Sequence, residues 1–167
     1  LPLVGDLGAD PAERGDGVLY LSDQTHSSIK RGALAIGWPA EHVRVLPTDD
    51  AFRLDADVLR AAVEADLAAG LTPAVVVATA GTTNTGAIDD LPAIAAVARE
   101  HGLWLHVDGA YGGPAALSPG RHGITGLDLA DSFVLDPHKW LFQPYDVACL
   151  LVRESDALER TFSMHPE

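Results

Sequence analysis

Ala74-Val75-Val76-Val77-Ala78, followed at once by Thr79-Ala80-Gly81-Thr82-Thr83, is the stretch on which the fold turns. Five apolar residues in an unbroken, β-branched run show no alternation of polar and apolar positions. The segment therefore reads as a strand covered on both faces rather than one lying on a surface. The same kind of signal recurs on either side of it. Upstream, Val18-Leu-Tyr-Leu21 and Val43-Arg-Val-Leu46 read as strands, the second halted by Pro47, with a helix from Thr25 to Ile36 closed by Gly37 and Pro39. Leu59, Val63 and Leu67 recur every fourth residue, a helical stripe that starts near Asp55 or Asp57 and stops at Gly70. Downstream, Asp89 or Asp90 is placed to cap a helix with Pro92 in its first turn and Gly102 as its stop. Leu103 to Val107, Phe133 to Leu135 and Val147 to Val152 supply three more strands, and Asp156 to Phe162 starts a last helix. Strands alternating with helices across short Gly-, Pro- and Asp-containing connections predict an α/β fold, a layered sandwich about a mostly parallel sheet.

Composition narrows the function classes. At 167 residues the chain holds one core, and 47% apolar with 21% charged residues is a globular balance. Eleven basic against 24 acidic residues leave a formal charge of −13, which repels phosphates at long range and argues against nucleic-acid or anionic-membrane partners. No run approaches the roughly 18 consecutive apolar residues of a membrane span. Asp6 and Asp10 interrupt the start of the chain, so no signal peptide is expected there. The single cysteine, Cys149, cannot form an intrachain disulfide; a buried packing role in Val147–Val152 and a reducing, cytoplasmic setting are expected.

In parallel sheets ligands sit beyond the carboxyl ends of the strands. Thr82 and Thr83, Asp108, and His138 with Lys139 each follow a predicted strand, so the topology gathers them at one rim. In Asp136-Pro137-His138-Lys139-Trp140 the lysine is hemmed in by a proline, a histidine and a tryptophan. Desolvation and cationic neighbours there would favour an amine suited to Schiff-base chemistry. In His106-Val-Asp108-Gly-Ala110-Tyr111 a carboxylate closes a second strand. An acid and an amine at neighbouring strand ends suit a pyridine cofactor, Asp108 for the ring nitrogen and Lys139 for the aldehyde. Asp108 is equally a residue type that caps a turn at a strand end. A metal site built from His106, Asp108 and His138 matches no dense zinc pattern, and a neutral buried His106 is expected instead. His42, His101, His122 and His165 carry no readable signal.

Four segments in this order, Ser22-Asp-Gln-Thr-His26-Ser-Ser28, Ala78-Thr-Ala-Gly81-Thr82-Thr83, His106-Val-Asp108-Gly-Ala110-Tyr111 and Asp136-Pro-His138-Lys139-Trp140, resemble the pyridoxal phosphate (PLP)-dependent group II amino-acid decarboxylases, the family that includes aromatic-L-amino-acid decarboxylase. The likeness runs from about Gly17 to Pro166. It implies that residues 1–167 are the central part of a PLP-binding large domain, a three-layer sandwich of the fold type I PLP-dependent transferase class, incomplete here. The resemblance also assigns roles. Lys139 forms the Schiff base with PLP, Asp108 pairs with the ring nitrogen, His26 stacks on one ring face and Ala110 packs on the other. Thr83 and Thr82 lie near the phenolic oxygen or Schiff base, and His138 and Asp136 lie beside the cofactor, with no metal. Asp136 stands where animal aromatic decarboxylases carry an amide able to donate to phosphate, so it needs a different partner. The reaction implied is loss of carbon dioxide from an L-amino acid, aromatic rather than acidic, through a quinonoid intermediate, in a homodimer. Alternatives are a glutamate- or aspartate-type decarboxylase, an aldehyde-forming decarboxylase–deaminase, or an inactive partial fragment. The last is expected because the phosphate-cradling turn, the mobile loop and the small domain of the family have no counterpart in these residues.

Overall fold

The computed structural model describes residues 17–120 and 124–162; the start of the chain with Asp6 and Asp10, and His122, His165 and Pro166, lie outside them. Six strands form one sheet: β1 (Gly17–Ser22), β2 (Val43–Leu46), β3 (Thr72–Thr79), β4 (Trp104–Asp108), β5 (Ser132–Leu135) and β6 (Cys149–Val152). Their spatial order is β2-β1-β3-β4-β5-β6. The first five run parallel and β6 is antiparallel to β5. The α-helices among the described residues are α1 (Ser27–Ala35), α2 (Ala56–Ala68), α3 (Leu91–His101), the single-turn α4 (Pro137–Trp140) and α5 (Ala157–Phe162), with short 3-10 turns at Ala40–His42, Gly113–Leu117 and Leu127–Leu129.

Both faces of the central strands are covered, which is why their sequences do not alternate in polarity. Val18, Tyr20, Val76, Ala78, Leu105 and Val107 pack with Leu59 and Val63 of α2 and Ile94 and Val97 of α3. Leu19, Leu21 and Val77 pack on the other side with Ala33 of α1 and Val43. The helices and sheet thus make the three layers expected. A polar staple ties the near edge together: the Tyr20 hydroxyl donates to Asp66 Oδ2 at 2.9 Å, and Arg44 grips the same carboxylate through Nε and Nη2. Burial pushes the Tyr20 hydroxyl well above its ordinary value, and the adjoining Asp66 carboxylate adds to that.

Several boundaries differ from expectation for local reasons. The first helix begins at Ser27, not Thr25, because Thr25 is held in a turn, its Oγ1 accepting from Ser22 N at 3.0 Å and its N–H donating to Ser22 O. Of the two capping candidates for α3, Asp90 takes the role, accepting from Ala93 N at 3.1 Å. Asp89 is buried instead. Its Oδ1 accepts from Leu54 N and its Oδ2 from Thr79 N, both at 2.7 Å. Cys149 is half-buried on the edge strand β6 rather than enclosed in the core, since only β5 flanks it. The turn α4, which carries His138 and Lys139, was not expected as a helix.

The chain leaves β1 toward β2 on one side and leaves β3 toward β4 on the other, so the strand order reverses between β1 and β3. Such a reversal opens a crevice at the carboxyl ends of the strands involved. The loops after β1, β3, β4 and β5 all lead there.

Candidate active site

A cavity of about 250 Å³ lies at that rim, lined among others by His26, Thr79, Thr83, Asp108, Ala110 and Lys139. Two glycine loops shape it. Gly81 has φ +95°, and a Cβ added there would come within 2.7 Å of Gly112 Cα. A Cβ on Gly112 would come within 2.4 Å of Ala80 O. Only residues without side chains allow the loops after β3 and β4 to touch backbone to backbone, and that contact brings Thr83 and Ala110 to the same opening.

Asp108 ends β4 and is 7% exposed. Its backbone is fixed on both sides, its C=O accepting from Ala80 N at 2.8 Å, while the next N–H, of Gly109, donates to Val134 O at 3.0 Å. Its Oδ1 accepts from Ala110 N at 3.0 Å. The turn-capping role and the cavity role therefore coexist: one oxygen closes the turn and the other is left for a ligand. The chain turns after Asp108, and Ala110 reaches the cavity through that turn.

Lys139 sits in the single turn α4, whose first residue is Pro137, a favoured helix starter. The turn folds Lys139 back over Asp136, and Nζ lies 2.9 Å from Asp136 Oδ2. The lysine side chain is 36% exposed. The neighbourhood is thus different from the desolvated, cationic one expected: the nearest charge is an anion three residues earlier, brought close by helical spacing. Asp136 finds in Lys139 the partner that its departure from the family's amide required.

His26 caps α1 and stands exposed at the mouth, its Nδ1 2.7 Å from Ser28 Oγ and 3.4 Å from Ser28 N. A backbone N–H can only donate, so Nδ1 is the acceptor and the neutral ring carries its proton on Nε2. Two predicted residues stand back from the cavity. Thr82 is 1% exposed and its hydroxyl is consumed inside its own loop, 2.7 Å from Thr85 Oγ1 and accepting from Ala87 N at 3.1 Å. It shapes the loop that presents Thr83. His138 turns toward the segment before β6, with Nδ1 2.6 Å from Val147 O, and packs edge-on against Tyr145. His106 pairs with Ser132 Oγ at 2.8 Å, and burial lowers its basicity. No group of three metal-ligating side chains occurs among the described residues.

Two residues were missed by sequence reasoning. Tyr111, which lines the cavity, meets Trp140 edge-to-face at 5.6 Å and so braces the loop after β4 against α4. Thr79 also lines the cavity, and its buried hydroxyl has no hydrogen-bond partner. A buried acid with one oxygen uncommitted, an orphaned hydroxyl beside it and an amine at the rim fit a flat heteroaromatic aldehyde such as PLP.

Comparison with known proteins identifies the family. Residues 11–167 match the pyridoxal-dependent decarboxylase conserved domain. The chain is 45% identical over 151 residues to aromatic-L-amino-acid decarboxylase of Bacillus atrophaeus, covering 90% of this chain and 32% of that protein. It is 43% identical over 153 residues to phenylacetaldehyde synthase of a Rosa hybrid cultivar, covering 90% of this chain and 30% of the relative. Among solved structures, Catharanthus roseus tryptophan decarboxylase in complex with L-tryptophan superposes with a TM-score of 0.87 at 39% identity, over 96% of this chain and 34% of that one. The chain spans about a third of the length of these relatives.

Proposed function

The chain belongs to the pyridoxal-dependent decarboxylase family, and on that premise we propose that the protein is a PLP-dependent carboxy-lyase acting on an aromatic L-amino acid. The observation that carries the reading is convergence: Asp108 at the end of β4 and Lys139 just after β5 line one cavity at the sheet's carboxyl rim. The aromatic substrate is supported by the tryptophan-bound structural neighbour and the aromatic-L-amino-acid decarboxylase relative.

PLP, when bound, supplies an electron sink for the bond that loses carbon dioxide. Lys139 would supply the amine that holds the cofactor's aldehyde, and Asp136, 2.9 Å from its Nζ, would stabilise that amine as an ammonium whenever it is free and protonated. Asp108 would hold a protonated ring nitrogen through its second oxygen while Oδ1 keeps the bond from Ala110 N. The His26 ring, fixed by Ser28, would cover one ring face, and Ala110 is small enough to admit the other. Thr83 offers its hydroxyl from the loop that Gly81 and Thr82 shape. His138, held through Val147, fixes the start of α4 and so the aim of Lys139. Residues 1–167 form the central part of the PLP-binding large domain in this reading. A homodimer and a cytoplasmic setting belong to it as well: Phe142 and Tyr145, 95% and 85% exposed, are apolar surface a second copy would cover, and the lone cysteine needs no oxidising compartment.

Borohydride reduction of PLP-loaded protein followed by peptide mapping should place the pyridoxyl mass on Lys139. Recovery on Lys30, the other lysine, would refute the assignment. Incubation with tryptophan, tyrosine and phenylalanine should release carbon dioxide with one equivalent of amine. Aldehyde in place of amine would move the protein to the chemistry named for the Rosa relative.

A further inference from the structure

Thr79 is the last residue of β3 and is 3% exposed, and its hydroxyl has no hydrogen-bond partner. Buried hydroxyls are nearly always paired, because leaving one unpaired forfeits its hydration without return. Valine would fill a strand position of this shape equally well and strand no oxygen. The placement explains what the oxygen is for. Thr79 is in register with Asp108 on the adjacent parallel strand, so the two side chains leave the same face of the sheet, and both line the cavity. Its backbone groups are already spent: N–H donates to Asp89 Oδ2 at 2.7 Å, and C=O accepts from Asp89 N at 3.0 Å. Asp89 is itself anchored on the far side by Leu54 N at 2.7 Å. The residue is gripped from behind on both backbone groups, and its hydroxyl, itself buried in the cavity wall, is its one unpaired polar atom.

We propose that Thr79 is a further cofactor-contacting residue, its hydroxyl pairing with a polar atom of the pyridine ring system seated beside Asp108, and that Asp89 is the positioning residue that sets it. The inference rests on the reading of the site as a PLP site, and its readout is binding rather than turnover. The isosteric Thr79→Val is made in the full-length protein, with Thr79→Ser as the conservative partner. Spectroscopic titration of cofactor-free protein with PLP gives the dissociation constant, and thermal melting of the same cofactor-free samples gives the midpoint. Thr79→Val should weaken PLP binding by about 5- to 10-fold, the equivalent of one net hydrogen bond, and at the same time raise the cofactor-free midpoint, because an unpaired buried oxygen has been removed. Thr79→Ser should bind PLP as the wild type does. Wild-type affinity in Thr79→Val overturns the inference while leaving the PLP reading intact. A lowered cofactor-free midpoint also overturns it, since the hydroxyl would then have a structural partner. Failure of the wild type to bind PLP would overturn the PLP reading and this inference together.

Discussion

Asp89→Asn tests the clamp behind the site through the pH dependence of stability. Asp89 is 5% exposed, and desolvation pushes its carboxyl up from the usual 3.8 to about 6, against the two N–H donors that hold the charged form. A rise of about two units corresponds to roughly 3 kcal/mol at 1.36 kcal/mol per unit. The folded protein binds this proton more tightly than the unfolded chain, so the contribution of Asp89 is most favourable below pH 4. It is lost as pH rises through about 6 and stays constant above. Asparagine cannot ionise, and its contribution is flat over the same range. At any one pH the substitution also costs something: its oxygen can accept only one of the two N–H groups, and its NH₂ faces the other, a loss of about 1–3 kcal/mol. That cost does not depend on pH. The difference between variant and wild type should therefore shift by about 2.5 kcal/mol in favour of Asp89→Asn between pH 4 and pH 7. Urea unfolding of both proteins at half-unit pH steps, with m-values checked for constancy, measures it. Parallel stability curves would refute the reasoning. A shift of the opposite sign would show that the two 2.7 Å N–H donors outweigh burial and that the carboxylate is the favoured form.

Asp108→Asn should keep its fold, because an amide oxygen can still accept from Ala110 N, yet lose at least 100-fold in kcat/KM, because a neutral group cannot hold the ring nitrogen protonated; circular dichroism beside steady-state kinetics separates the two effects. Gly112→Ala places a methyl 2.4 Å from Ala80 O and 2.9 Å from Gly81 Cα, both backbone atoms that cannot swing aside. PLP binding should fall sharply with secondary structure retained, and wild-type affinity would show that the loop contact is not what shapes the cavity. Tyr20→Phe removes the 2.9 Å bond to Asp66 but leaves the Arg44 grip, so a loss of about 1–2 kcal/mol in urea unfolding is expected.

The sheet was legible because its strands are covered on both faces: Val75 to Val77 and Val18 to Leu21 have nowhere polar to point, and an unbroken apolar run is the direct record of that. Lys139 and Asp108, which both line the cavity, stood out because charged residues at or just past the end of an apolar strand are rare enough to need a reason. Asp136 was harder. Its pairing with Lys139 depends on the single turn of α4, and the available signal was Pro137, a helix-starting residue set between them. A proline there also ends a strand, and the two readings place Lys139 in opposite surroundings. His138 points away from the cavity for a related reason: adjacent residues on a helical turn point about 100° apart, so a cavity-facing Lys139 turns its neighbour elsewhere, toward Val147.

Thr79 and Asp89 could not be read at all, and the cause is more general. Each belongs to a residue type with an ordinary local explanation, threonine as a strand former and aspartate as a helix cap, and both explanations are locally available here. What sets them apart is hydrogen-bond accounting across three segments far apart in sequence. Asp90 satisfies the cap, which frees Asp89 to reach Leu54 and Thr79. Asp89 satisfies the backbone of Thr79, which leaves its hydroxyl over. Each step follows only once the previous partner is known, and none of the partners lies in the pattern of neighbouring residues. The surplus hydroxyl then falls beside Asp108 through a strand register that the order β1-β3-β4 creates. If the clamp is real, the pH-dependent loss at Asp89 and the cofactor affinity set by Thr79 are coupled. Asp89→Asn should weaken PLP binding in the same direction as Thr79→Val, and combining the two should weaken it by less than the sum of the separate effects. Full additivity would mean that the two residues act independently and that Asp89 serves the fold alone.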